Sequence, residues 1–434
     1  MQTVSGFSKL TKEEKLNWIS SHFLPHSLEA ANTFRSFWHD NQALQAVIDG
    51  FSENTISNFV IPFGIAPNFI INGKTYAVPM AIEESSVVAA ASSAAKFWMT
   101  KGGFHAEVIG TQKIGQVHFT WSGGSDRLQR LFPDISKALL NDVQALTSNM
   151  QKRGGGILGI ELLDFTAQEP DYYQLKVAFD TCDSMGANFI NSILEAFGVR
   201  LQSFLLAETD EEPEIIMAIL SNYTPECLVR AWVECPVAIF GGHKGISGEV
   251  LAEKFSKAIR IATIDPYRAT THNKGIFNGI DAVALATAND FRAIEACGHA
   301  YAARDGQYRS LSHCTISNGI FRFELEIPLA LGTVGGLTNL HPLARLSLEM
   351  LGNPSAKELM KIIAVTGLAQ NFAAVRSLVT SGIQQGHMKM HLGNILNHLA
   401  ASEAEASAIK SHFDNKTISF NAVNEYLLSL RTKS

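Results

Sequence analysis

The chain has 434 residues, 46% hydrophobic and 18% charged, with a formal net charge of −6. That length and apolar share can fill a large core and point to two or three domains. No lysine- and arginine-rich run is present, which argues against a nucleic-acid partner, and no uninterrupted apolar run is long enough to span a bilayer. The five cysteines, at 182, 227, 235, 297 and 314, are odd in number and scattered. They suggest neither a disulfide framework nor a zinc or other metal site. The first residues lack the apolar core of a signal peptide, so a reducing, cytoplasmic setting is expected.

Thr11-x-x-Glu14 stands in front of Leu16, Trp18 and Ile19. That is a capping box and predicts a short helix. Helical patterning runs on through residues 27–50. Residues 51–79 change to extended apolar runs and turns, and Asn72-Gly73 is a two-residue hairpin signal. From Glu83 onward alanine and serine dominate as far as Met99, which favours a helix that neighbours can approach closely. Glu83 and Glu84 fall at its start, where acids complement the helix dipole.

Residues 112–222 separate cleanly. The spacing predicts strand 115–121, helix 133–150, strand 157–165, strand 172–180, helix 184–203 and strand 214–220. The order βαββαβ is that of a ferredoxin-like unit. Residues 154–159 spell Gly-Gly-Gly-Ile-Leu-Gly, formally a dinucleotide fingerprint. It follows a helix and precedes a strand, the reverse of what that fingerprint needs. A better nucleotide signal is Asp183-Ser-Met185-Gly186-Ala-Asn188, which follows a strand and opens a helix. Gly186 lets a ligand approach the backbone, and free N–H groups at the helix start suit phosphate or carboxamide oxygens. Asp183 by itself also reads as a simple helix cap.

Residues 264–302 interleave polar groups (Asp265, Arg268, His272, Asn273, Lys274, Asn278, Asp290) with an apolar helical pattern. Charges beside core-forming segments are costly unless paired. Lys274, Arg268 and Asp290 therefore need partners, either an ion-pair cluster at a helix end or an anionic substrate. If residues 279–302 formed one helix, Asp290 would lie about 16 Å beyond its start. Either Asn289-Asp290 breaks that helix as a cap, or the preceding loop folds back. Phe321–Ile327 alternates as a half-buried strand, residues 341–380 are helical, and the remainder reads as a Gly386 hinge followed by polar helix.

Four separated motifs occur together: Glu83-Glu84-x-Ser86, Asp183-x-Met-Gly-Ala-Asn188, Thr271-His-Asn-Lys274 and Gly386-His387-Met. Their order and content resemble class II, bacterial-type 3-hydroxy-3-methylglutaryl-CoA (HMG-CoA) reductases over about residues 10–395. The resemblance implies an α/β (α+β) fold. Its parts are a large, mostly helical domain with a central helix (1–111 and 223–380), an inserted ferredoxin-like nucleotide-binding domain (112–222) and a mobile C-terminal helical flap (381–434). It also implies an NAD(P)H-dependent oxidoreductase of the mevalonate and isoprenoid pathway. The reaction takes HMG-CoA to mevalonate and free coenzyme A, reversibly, by two hydride transfers.

Implied roles follow the motifs. Lys274 stabilises charge on the carbonyl oxygen. Glu84 protonates the aldehyde oxygen, which calls for a raised pKa, and Asp290 couples Glu84 to Lys274. His387 protonates the departing thiolate. Ser86 and Arg268 bind the substrate carboxylate, and Asn278 holds Lys274 or the substrate oxygen. Asp183, Met185, Gly186 and Asn188 bind the cofactor. The family shares its sites across a dimer interface, so a homodimer or a multiple of it is implied.

Two departures stand out. Glu53-Asn-Thr-Ile-Ser57 has serine where the family often has glycine, near the coenzyme A and dimer surface. Gly159 stands where NADH-specific members carry an aspartate for the ribose 2′-hydroxyl, so NADPH is expected to serve at least as well as NADH. Two other readings compete. A thiolase-type acyltransferase would use Cys297 with His299 or His313 as base, but Cys297 lies in an alanine-rich helix and reads more simply as core. A non-catalytic CoA-binding paralogue would not be expected to keep Glu84, Lys274, Asp290 and His387 together.

Overall fold

The structure is a computed structural model that describes residues 3–27, 29–241, 245–338, 340–380, 392–393, 395–413, 416 and 418–432. His387 lies outside these residues. The capping box forms as expected: Thr11 accepts from Glu14 N, and the Glu14 side chain accepts from Thr11 N, opening the Lys12–Phe23 helix. The helical pattern over 27–50 resolves into Ala30–Ser36 and Gln42–Asp49, because Asn41 caps the second piece through Leu44 N. Asn72-Gly73, both at positive φ, turns strand Phe63–Ile71 into strand Lys74–Ala81. The Asn72 side chain also bonds both Ala106 N and Ala106 O, which fastens the hairpin to the strand His105–Val108.

The ferredoxin-like order is present. Strands Lys113–Thr120, Gly156–Asp164, Tyr172–Asp180 and Glu214–Leu220 form an antiparallel sheet in spatial order second, third, first, fourth. The first helix of this unit starts at Ser125, earlier than its pattern suggested, with Pro133 inside it, and breaks at Val143. The second helix is Ala187–Thr209. Its apolar stripe, Ile190, Leu194, Phe197 and Leu201, packs with Val117, Phe119, Val177 and Phe179 of the sheet in a core of its own.

A larger core surrounds the Ala356–Thr380 helix, which is buried over most of its length. This helix and Ala187–Thr209 are long and apolar enough to cross a membrane by length and composition. Both are instead occupied in packing: Phe372 meets Trp98, Phe240 and Phe255 in an aromatic cluster. Against the central helix runs the Pro266–Ala286 helix, antiparallel to it. Two glycines allow the close approach: a Cβ at Gly279 would lie 2.7 Å from Thr366 O, and one at Gly367 2.7 Å from Ile280. A third small core joins Ile395 and Leu396 to Ile409, Val423 and Leu427.

The 279–302 question is settled by a cap. The first helix begins at Pro266, with Asp265 as N-cap, and ends at Ala286. Asp290 then opens a separate helix, Phe291–Ala302, by accepting from Arg292 N and Ala293 N. Lys274 therefore sits in mid-helix rather than in a loop before it. Ser57 needs no left-handed φ, and its hydroxyl donates to Phe34 O at 2.6 Å, tying it to the Ala30–Ser36 helix.

Candidate functional site

Thr271-His-Asn-Lys274 divides its labour by helix face. His272 is 1% exposed. Ser312 Oγ donates to Asn371 Oδ1 at 2.9 Å, so it accepts from His272 Nε2 at 2.7 Å, which leaves Nδ1 as acceptor for Asn371 Nδ2. Burial, and then the Arg268 charge, push the His272 pKa down to about 3, so the ring is neutral. Asn273 donates to Arg309 O and accepts from Leu311 N. These two residues anchor the helix from beneath, and Lys274 points outward.

Lys274 Nζ donates to Glu84 Oε2 at 2.5 Å, and Asn278 Nδ2 approaches the same oxygen at 3.4 Å. Glu84 precedes its helix instead of lying in the first turn, because Ser86 adopts φ +77° and the helix starts at Val87. A left-handed serine is uncommon and marks a site where the surroundings hold the backbone in place. Arg268, Thr271, Gly275 and Asn278 recur at helical spacing along one face. With Glu84, Ser86 and Lys274, and with Gln370, Ala374 and Arg376 opposite, they line a cleft of about 420 Å³. The helix start at Ser86–Val87 opens into it, a suitable place for an anion.

A second cluster surrounds the nucleotide-type motif. Gly186 has φ +90°, and a Cβ there would lie 2.4 Å from Thr181 Cγ2. Thr181 Oγ1 and buried Lys113 Nζ both donate to Ser184 O, at 2.6 and 2.7 Å. Burial pushes the Lys113 pKa down. A Cβ on Gly155 would strike Asp180 O at 2.5 Å, so the glycine run lies directly against this loop. Gly159 is exposed on the edge strand beside a bulge, and the place a Cβ would take is open. Asn188 is exposed in the first helical turn. Met185 and Ala187 share a narrow pocket with Ala293, Ile294 and Cys297.

Asp183 does not cap its own helix. Its Oδ1 accepts from Ala356 N at 2.7 Å, at the start of the central helix. Its carbonyl accepts from Thr333 N and Val334 N. That loop, Gly332-Thr-Val-Gly-Gly336, was missed in the sequence, although paired glycines after a strand are a usable turn signal. Asn289 Oδ1 accepts from Gly332 N, so the loop also touches the turn before Asp290.

The structure thus gathers Glu84, Ser86, Arg268, Lys274 and Asn278 in one cleft, and places Asp183, Met185 and Gly186 beside the helix that Asp290 caps. It does not join Asp290 to Lys274 within the chain. Among the described residues Asp290 bonds Arg292 and the helix N–H groups, and neither Glu84 nor Lys274. Cys297 is 3% exposed and burial raises its thiol pKa, while His299 Nδ1 is taken by Tyr308 OH at 2.7 Å. No nucleophile–base pair forms there.

Two turns beyond Lys274, Asp281 faces the Glu295 carboxylate, and its Oδ1 is buried without a hydrogen-bond partner among the described residues. His299 and Tyr308 face the same Glu295 charge. Burial and then the Glu295 charge raise the Asp281 pKa from 3.8 to about 8. The folded chain therefore holds a proton that the unfolded chain has lost. This stabilisation is full below the unfolded value and fades as pH rises through the folded one. Asp281→Asn cannot ionise, so its melting temperature relative to the parent should rise between about pH 5 and about pH 8.5. A difference that stays constant across that range would refute this.

The hydroxymethylglutaryl-coenzyme A reductase family model matches residues 12–392. The chain is 38% identical over 413 residues to 3-hydroxy-3-methylglutaryl-coenzyme A reductase of Archaeoglobus fulgidus, covering 94% of this chain and 89% of that one. It is 35% identical over 408 residues to a probable 3-hydroxy-3-methylglutaryl-coenzyme A reductase of Borreliella burgdorferi, covering 92% and 89%. Among solved structures, the Streptococcus pneumoniae reductase matches with a TM-score of 0.72 at 38% identity, over 99% of this chain and 100% of that one. The class II enzyme from that organism, bound to NADPH in open conformations, matches with a TM-score of 0.72 at 39% identity, over 87% and 100%.

Proposed function

The chain belongs to the hydroxymethylglutaryl-coenzyme A reductase family, an oxidoreductase family of the mevalonate pathway, and from that premise we propose how its own residues divide the reaction. The observation that carries the proposal is the Lys274–Glu84 contact of 2.5 Å at the cleft. It sets a cation and a carboxylate where one carbonyl oxygen can meet both.

Lys274 stabilises the oxyanion that develops on the thioester carbonyl oxygen and, after the thiolate leaves, on the aldehyde oxygen. When it holds a proton, Glu84 delivers it to the aldehyde oxygen as that becomes an alcohol, and so returns to the carboxylate that Lys274 pairs. Asn278 holds the Glu84 carboxylate in place. Arg268 and the Ser86 helix start bind the substrate's free carboxylate. His387 is proposed to protonate the coenzyme A thiolate.

NADPH is the proposed cofactor, and it supplies hydride when bound. The loop fits such a group: Gly186 and Gly155 leave no room for a Cβ on the protein side, and the helix start at Ala187 has no side-chain cap. Asp183 contributes by holding that loop to the central helix, and Asn188 lies in its first exposed turn. Lys152 and Arg153, both exposed beside the glycine run, have no carboxylate partner among the described residues. They suit a 2′-phosphate. NADPH should therefore show a kcat/KM at least equal to that of NADH. Gly159→Asp, which the open space admits, should shift the ratio toward NADH by about tenfold or more. An unchanged ratio would mean that residue 159 does not face the ribose.

A homodimer is proposed as well. Asp183 caps the central helix at Ala356, and Gln370 in the cleft lies fourteen residues on, roughly 21 Å away at 1.5 Å per residue. Two half-sites that far apart suit a second protomer bringing its Met185–Gly186 loop and Asp290 to the cleft. Phe59, Val60, Ile61, Phe63 and Ile65 form an exposed apolar stretch that a partner would cover. A one-chain mass in solution would refute this. The three hydrophobic cores support the proposed division into a large domain, a nucleotide domain and a C-terminal flap, and the setting is proposed to be cytoplasmic. The decisive assay follows oxidation of NADPH, and separately NADH, with HMG-CoA. The absence of thioester-dependent oxidation with both would overturn the assignment.

A further inference from the structure

Among the described residues, three cations and one carboxylate line the cleft: Arg268, Lys274 and Arg376 against Glu84. Lys274 takes Glu84. That leaves two guanidinium groups without an ion pair among the described residues. Burial pushes both pKa values down from the ordinary arginine value. A guanidinium nevertheless stays charged, so the cost of its desolvation persists until an anion arrives.

Arg376 is the more firmly held of the two. Its guanidinium lies 4.9 Å from the Phe97 ring centroid and 5.3 Å from that of Phe372. Nη2 donates to Ser93 Oγ at 3.0 Å. Ser93 and Phe97 belong to the Val87–Met99 helix and Phe372 to the central helix, so both walls fix the side chain. Two aromatic faces and one hydroxyl orient the fork without neutralising it. Its other N–H groups have no acceptor among the described residues.

The helix pairing places Arg376 near Arg268. Gly279 faces Thr366, and His272 meets Asn371. The helices are antiparallel, so one more turn brings Arg268 level with about residues 374–377. Arg268 is six residues from Lys274, roughly 9 Å of helix rise. The carboxylate and thioester carbons of the five-carbon acyl chain are roughly 5 Å apart, at about 1.5 Å per bond. Flexible lysine and arginine side chains cover the difference.

We propose that Arg376 is a second substrate-binding arginine, which with Arg268 brackets the free carboxylate of the 3-hydroxy-3-methylglutaryl group while the thioester faces Lys274. This rests on the reductase reading. A rigid, unpaired fork at the far end of the cleft would select acyl groups that end in a carboxylate and hold them in register with the reacting carbonyl.

Calorimetric binding separates this from a scaffolding role, because mevalonate carries the carboxylate and coenzyme A does not. Arg376→Met should weaken mevalonate binding by about 10- to 100-fold and leave coenzyme A binding unchanged. Arg376→Lys, with the charge but not the fork, should fall between. Unchanged mevalonate affinity, or equal loss for both ligands, would overturn the proposal. Should Arg376→Met fail to fold, Ser93→Ala keeps the guanidinium and removes its orienting bond. That variant should bind mevalonate several-fold more weakly, and parent-like affinity would equally overturn the proposal. A parent protein that binds mevalonate but does not reduce HMG-CoA would instead sink the reductase reading.

Discussion

Lys274→Ala is expected to lower turnover by on the order of 10²–10³ while leaving the folded chain intact. The side chain is 60% exposed, and among the described residues its one hydrogen bond is to Glu84. Nothing in the core depends on it, because His272 and Asn273 carry the helix's anchoring bonds. Removing the ammonium deprives the carbonyl oxygen of its cation in both reductions. The HMG-CoA and mevaldehyde reactions should therefore both fall. Circular dichroism and particle mass should match the parent. Turnover near the parent value would remove Lys274 from the chemistry and with it the proposed division of roles.

Gly186→Ala is expected to weaken NADPH binding at least tenfold, an effect on affinity rather than on the chemical step. Two costs add. The backbone at φ +90° disfavours any side chain by roughly 1–2 kcal/mol. The new methyl would also meet Thr181 Cγ2 at 2.4 Å. Thr181 cannot simply give way, because its hydroxyl accepts from Lys113 and donates to Ser184 O. Relief must come from the loop itself, which moves the N–H groups at the start of the Ala187–Thr209 helix. Fluorescence titration with NADPH measures this, and an unchanged Kd would show that the loop does not hold the cofactor.

Several features were legible from the residues alone, and they share a short range. The Thr11–Glu14 box, the Asn72-Gly73 turn and the strands 172–180 and 214–220 each depend on side chains a few positions apart. The ferredoxin-like order followed from periodicity switching between strand and helix. The four ordered motifs placed the chain in its family before any packing was known. Gly186 was readable as a position that excludes a side chain because a strand runs into it and a helix leaves it, but the group packed against it in the fold is Thr181.

What the residues could not disclose depends on partners far along the chain. Asp183 read as a cap for its own helix, yet it caps one that begins at Ala356, 173 residues on. Arg376 read as part of a helical segment, and only packing against Ser93, 283 residues away, turned it into an oriented cation. Glu84 looked like a first-turn acid until the left-handed Ser86 delayed the helix. Asp290 was assigned beside Lys274, but within one chain it caps a separate helix and bonds Arg292 and the helix N–H groups among the described residues. Local propensity and short-range hydrogen bonds are written in a window of a few residues. The direction in which a charge finally faces is decided by which helices pack together, and here that was set by two glycines, Gly279 and Gly367, that let the central pair approach.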